Sequence, residues 1–263
     1  MAISDEVNRF WDEWGTLDKL YKPDGGDSCH RVGMYYSLLG MMTPERRKKY
    51  PKAGAQSFNA LMKKHHVSPG VLIRHPNTAW DASDWDRMSR DQLHPVIMAA
   101  SYYNSKELSD LTMGHATRLF LFASNTRRNG ANKKNHGVMS YGEIRDYDWK
   151  IPDPTGPEIW GLYIRAWKLW PLWPMLLFTD LETLIGSIKW RFFPKHNITM
   201  NHTLSIFYAA DRLPTPISYL SRLIMSPERL INLLAQHFKD TPTDMTFFEE
   251  MFKDAWKSIK GDP

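Results

Sequence analysis

I-W-G-L-Y-I-R-A-W-K-L-W-P-L-W-P-M-L-L-F-T-D-L-E-T-L-I-G-S-I-K-W-R-F-F, Ile159 to Phe193, is the stretch on which the fold turns. Its apolar density allows a membrane span, a buried helix or a helix at an interface. The uncharged part, Leu169 to Phe178, is ten residues long, about half of what a bilayer-spanning helix needs. Asp180 and Glu182 then interrupt the run where a span tolerates charge worst. A transmembrane helix is therefore disfavoured, and a central core helix is the leading expectation. The sharper alternative is an interfacial element. It would hold Trp167, Trp170, Trp173 and Trp190 at headgroup level and turn Lys168, Lys189 and Arg191 toward anionic lipid.

Outward from this segment the chain reads as helical nearly throughout. Toward the C-terminus helices are expected at about 157–169, 172–192, 199–212, 215–224, 226–238 and 244–260. Toward the N-terminus they are expected at about 106–124, 89–103, 55–66 and 28–42. A further amphipathic helix is expected from Ser4 to about Tyr21, with Val7, Phe10, Trp11, Trp14, Leu17 and Leu20 at helical spacing. Thr43-Pro44-Glu45-Arg46 and Ser226-Pro227-Glu228-Arg229 each have the grammar of an N-cap followed by proline at the first helical position. Between 68 and 86 the chain reads as loop, with Val71-Leu72-Ile73 a candidate extended piece. Ala131 to Pro157, rich in Asn, Gly, Lys and Asp, is the longest irregular section, of the kind that serves as a lid or binding loop. Many helices joined by short connections, with no sustained strand pattern, predict an all-α fold of antiparallel helical hairpins in one domain, 1–263.

Composition narrows the function classes. The net charge of +5 is scattered, so nucleic-acid binding is not indicated. The single cysteine, Cys29, excludes an internal disulfide and any cysteine-rich zinc site. Without a signal-peptide core at its start, the chain is expected in a reducing cytoplasmic interior, soluble or peripheral to a membrane. Ten histidines fall into no metal-ligand spacing, and no P-loop, G-x-G-x-x-G or G-x-S-x-G is present. Neither a metal nor another cofactor is therefore expected.

Polar chemistry concentrates at helix starts. Gly26-Asp27-Ser28-Cys29-His30-Arg31 opens one helix, and Asp27 and Arg31 are spaced to share a face. Asp27 suits a general acid or base, with Arg31 setting its pKa or clamping a substrate. The bland reading is a cap and a surface ion pair. Trp80 to Pro95, W-D-A-S-D-W-D-R-M-S-R-D-Q-L-H-P, leads into the apolar run Val96-Ile97-Met98-Ala99-Ala100. Ser89 and Gln92 fit a capping box. Asp86, Arg90 and Asp91 are left over for a site, with Trp80 beside them. Paired carboxylates, one protonated and one ionised, are what hydrolysis of a glycosidic bond requires.

His115 and Arg118 share an otherwise apolar helix face, as a satisfied core pair, the commoner case, or as a site lining, and Arg128 in the polar run Asn125–Asn129 is a further candidate cleft wall. Glu158 and Arg165 lie two turns apart on a later helix, with Tyr163 nearby, and Asn201, Tyr208 and Asp211 form a polar stripe on another. The candidate catalytic set is thus Asp27, Asp91 and Glu158. The candidate binding set is Arg31, Trp80, Asp86, Arg90, Gln92, His115, Arg118, Arg128 and Arg165.

The Gly-Asp-Ser-x-x-Arg start over Gly26–Arg31 and the Ser-Arg-Asp-Gln start over Ser89–Gln92, set among helical hairpins, resemble α/α-toroid proteins such as six-hairpin glycosidases and polysaccharide lyases. The resemblance implies a partial toroid, the chain being short for six hairpins. It also implies a cleft lined by inner-helix N-termini, with carboxylates, arginines and aromatic sugar platforms, acting on a carbohydrate-like ligand. Two other classes stay open. One is a non-enzymatic interaction or assembly subunit, structural in a virus or mobile element, for which the missing catalytic signature and the surplus Trp and Met speak. The other is a peripheral membrane protein using residues 159–193.

Overall fold

The computed structural model describes residues 28–64, 66–68, 71–72, 90–110, 155–193, 200–240 and 246–262. There the chain forms α1 (Ser28–Met41), α2 (Pro44–Arg47), α3 (Ala55–Lys64), α4 (Arg90–Tyr102) and α5 (Thr155–Ala166). It continues through α6 (Leu176–Phe192), α7 (Met200–Asp211), α8 (Pro216–Ile224), α9 (Pro227–Asp240) and α10 (Thr246–Lys260). The fold is all-α. A two-stranded antiparallel pairing of β1 (His66–Ser68) with β2 (Val71–Leu72) is its small extended part, at the apolar piece expected to be extended. The helix expected at 4–21 and most of that at 106–124 lie outside the described residues. No described helix is long and apolar enough to cross a membrane.

The proline-marked caps form as their grammar predicts. Thr43 Oγ1 accepts from the Arg46 N–H at 3.5 Å, and Ser226 Oγ from the Arg229 N–H at 3.2 Å. Thr215-Pro216 is a third case, closed by a reciprocal capping box with Ser218. The expected helix 172–192 begins late. Trp170–Met175 is a 3-10 turn, and α6 starts only at Leu176. Pro171 and Pro174 lack the N–H a helix needs and push the residues before them out of the α region. The long irregular section also ends earlier than expected, because α5 starts at Thr155.

The tightest packing is between α1 and α4. A Cβ on Gly33 would stand 2.8 Å from the Pro95 carbonyl carbon and the Val96 nitrogen, and one on Gly40 would stand 2.2 Å from the Tyr102 ring. Glycine at both places lets the two backbones close together. The same offset holds from Gly33–Pro95 to Gly40–Tyr102, so the helices run parallel. Ser37 Oγ, between the two glycines, lies 2.8 Å from the Pro95 carbonyl oxygen.

Three other helices share this direction. His30 Nε2 meets Asn201 Oδ1 at 3.0 Å near the starts of α1 and α7, while Tyr208 donates to Ser101 Oγ at 3.1 Å and Tyr102 to Asp211 near the ends. In α10, Phe252 and Trp256 pack on Phe207, and Ser258 Oγ accepts from the Thr43 N–H just beyond α1. At the far end of α5, Tyr163 meets Asp110 beyond the end of α4, and Arg165 reaches the Leu213 carbonyl beyond the end of α7. Outside this group α6, α8 and α9 run back. Asp180, near the start of α6, meets Arg165, and Ser187, near its end, meets His202 at the start of α7. Thr215 caps α8 beside Asp180, and Glu228 at the start of α9 accepts from Trp256 near the end of α10. One hydrophobic core joins the co-directional helices, including Leu39, Phe58, Ile97, Phe207 and Phe252.

Candidate functional site at the shared helix starts

Co-directional packing brings the N-termini of α1, α4, α5, α7 and α10 toward one end. Carried back along α1 and α4, the register set by Gly33 and Pro95 puts Ser28, the first residue of α1, level with Arg90, the first of α4. Asp27 precedes Ser28 in the chain, and Asp91 follows Arg90. The first described residues of α1 and α4, about sixty positions apart, therefore lie level, and Asp27 lies outside the described residues. Glu158 belongs to the opening turn of α5, which packs along α4. The segments leading into these starts, up to 27, 73–89, 111–154, 194–199 and 241–245, lie outside the described residues.

Helix starts brought together carry consistent electrostatics. Each presents N–H groups with no partner in its own helix and roughly half a positive charge. Arg31, in the first turn of α1, is buried, and burial lowers its pKa to about 9. At neutral pH it remains charged, which suits an anionic ligand. His30 is held by Asn201, and His94, one turn after Arg90, is also buried. Burial lowers the His202 pKa to about 4, so at neutral pH its imidazole is uncharged. Such an end favours a negatively charged or hydroxyl-rich ligand.

The expected site residues divide into three groups. Arg31 stands at this end, buried. Arg90, Asp91 and Gln92 form the opening turn of α4 and Glu158 that of α5, their side chains lying outside the description. Asp27, Trp80, Asp86, His115, Arg118 and Arg128 lie outside the described residues altogether.

Arg165 is placed differently. At the opposite end of α5, buried, it donates through Nη2 to both Asp180 oxygens at 3.0 Å and through Nε to the Leu213 carbonyl at 3.2 Å. Thr215 Oγ1 also donates to Asp180. This knot ties α5, α6 and the α8 cap together and leaves the guanidinium no part in a cleft at the other end. The expected polar stripe on α7 is likewise absorbed by packing partners, Asn201 by His30, Tyr208 by Ser101 and Asp211 by Tyr102.

His30, His94 and His202 were not singled out by spacing. His94 stands four positions after Arg90, the one helical interval that could have marked it. No three His, Cys, Asp or Glu side chains among the described residues are grouped to hold a metal ion. No protein-family model, curated protein or solved structure matches the chain.

Proposed function

We propose that the chain is a carbohydrate-active protein, of glycoside hydrolase or lyase type, with its cleft at the shared starts of α1, α4 and α5. The observation that carries the reading is the parallel register of α1 and α4, which makes Ser28 level with Arg90; the reading sets Asp27, next to Ser28 in the chain, across from Asp91. Five co-directional helices, with the returning α6, α8 and α9 packed on α5, α7 and α10, support the partial-toroid reading. In a hydrolase of this kind one carboxyl, protonated, gives its proton to the departing glycosidic oxygen. The other, ionised, either takes a proton from the water that attacks the anomeric carbon or attacks that carbon itself, and the carboxyl separation sets which. Asp27 and Asp91 are the pair in this reading, with Glu158 a third carboxylate on the neighbouring helix. Arg31, Arg90 and Gln92 hold the sugar. The positive ends of the helices favour an acidic sugar over a neutral one.

The test measures calorimetric binding of oligogalacturonates, with neutral cello-oligosaccharides as control. Bond cleavage is followed by reducing ends and by the ultraviolet absorbance of an unsaturated product. Binding of the acidic series, lost in Asp91→Asn and Asp27→Asn while both variants keep the parent melting temperature, is expected. No binding of either series, or unaltered binding and cleavage in both variants, refutes the reading.

Because Arg31 binds best when charged, affinity for the acidic oligosaccharide should hold at neutral pH and fall as pH rises through about 9.

A further inference from the structure

The pair α6–α8 is inside out. Along α6 the buried residues are Leu176 at its start and then Thr179, Asp180, Thr183 and Ser187, while Leu181, Ile185, Ile188 and Phe192 face outward. Ser187 is 0% exposed, whereas Ile185 is 57% and Phe192 68% exposed. On α8 the inward residues are Ser218 and Ser221, and Tyr219, Leu220 and Leu223 face out. Ser221 is 0% exposed and Leu223 63%. Neighbouring helices here meet through small and hydroxyl-bearing residues. Gly161 of α5 backs directly on Thr179, and Gly186 on the His202 ring. Close approach through Gly, Ser and Thr with large apolar groups turned outward is the packing of helices whose surroundings are apolar. In water the outward face would be an unusually large exposed patch for a monomer.

We propose that the outward face of α6 and α8 docks on an anionic lipid bilayer, with both helices lying in the plane of the interface. Three observations choose lipid over a second copy of the chain. The outward charges on these elements are Lys168, Lys189, Arg191 and Arg222, against Glu182; that balance complements anionic headgroups and repels an identical face. Indole and phenol rings, Trp170 and Trp173 before α6 and Tyr219 on α8, border the aliphatic stripe, as amphipathic rings do at a headgroup boundary. Lys189 lies over the Trp190 ring at 6.0 Å and Arg222 over Tyr219 at 5.1 Å, so the cations sit beside the rings that would enter the interface. The 17 residues of α6 carry one apolar face, which suits a helix lying in the interface.

The experiment is sedimentation of the chain with vesicles of phosphatidylcholine alone and of phosphatidylcholine with phosphatidylserine. It is run at low and high salt, and the oligomeric state without lipid is measured by analytical ultracentrifugation. Partition into the anionic vesicles is expected, weakened by salt and reduced about tenfold in the Ile185→Ser/Leu223→Ser variant. Lys189→Glu/Arg191→Glu should lose binding to the anionic vesicles and stay folded by circular dichroism. The spacing of Leu181, Ile185, Ile188 and Phe192 would also suit a paired helix. A dimer that Ile185→Ser/Leu223→Ser splits, with no binding to either vesicle, overturns the proposal in favour of a second copy. A monomer that leaves both vesicles unbound overturns it as well.

Discussion

The two closest helix pairs, α1 with α4 and α6 with α8, are opposite in construction. Between α1 and α4 the contact is Gly33 against backbone and Gly40 against the Tyr102 ring, with one hydroxyl, Ser37, and the surrounding side chains, Leu38, Leu39, Val96 and Ile97, are fully buried hydrocarbon. Between α6, α8 and neighbouring α5 the inward groups include hydroxyls and one ion pair beside the buried Ile164 and Leu176, and much of the hydrocarbon of α6 and α8 is outside. Both pairs consist of regular helices. Helical regularity therefore says little about which face is the inside, and the energy that holds each pair differs. The first is held by apolar burial and shape. The second depends on satisfied polar groups whose loss leaves a charge stranded.

That contrast can be broken from its polar side first. Asp180→Ala leaves Arg165 buried without its carboxylate and should cost about 3–5 kcal/mol, measured by urea unfolding at pH 7. The double change Arg165→Met/Asp180→Leu should recover most of it, since apolar replacement of both partners removes the stranded charge. A small loss in Asp180→Ala would mean that the knot does not hold the outer helices.

Breaking the other pair is expected to cost somewhat less. Gly33→Ala drives a methyl into the α4 backbone at Pro95 and Val96, which can yield only by separating the helices, and should cost about 2–3 kcal/mol by the same measurement. Gly161→Ala meets only the side chain of Thr179, so its loss should be smaller. If Gly33→Ala is silent, α1 and α4 are not locked in this register, and the proposed pairing of Asp27 with Asp91 loses its support.

The smallest effect is a pH dependence at the join between the two regions, where Ser187 of α6 meets His202 of α7 at 3.3 Å. The His202 pKa falls from 6.5 to about 4 on folding, through burial. Between those values the unfolded chain binds more protons, so stability is present above pH 6.5 and declines as pH falls toward 4. Because the ring is partly exposed, solvent screening trims the loss to on the order of 1–2 kcal/mol. His202→Gln should flatten that slope in melts taken across the same window, and an unchanged slope would assign it to other groups.

Much of the fold was legible from local rules. Periodicity located the helices, and prolines after Thr43 and Ser226 marked two starts to the residue, because caps are local chemistry. The Thr215 box went unseen because its third position is a serine rather than Glu or Gln. For the site, the two acidic helix starts were visible as motifs. Arg165 was misplaced because a helix face two turns long cannot tell a cleft from an internal ion pair. Its partner, Asp180, had been read only as an interruption of an apolar run.

The sequence alone determined where most helices lie, with several of their caps, and that the segment 159–193 does not span a bilayer, since hydrogen-bonding grammar and span length are properties of short stretches. Tertiary structure decided that α1 and α4 run side by side in one direction, that Arg165 closes on Asp180 and that α6 shows its hydrocarbon to the outside. Those facts depend on which face meets which neighbour. Amphipathicity reports that a helix has two faces, and only packing assigns one of them to the interior.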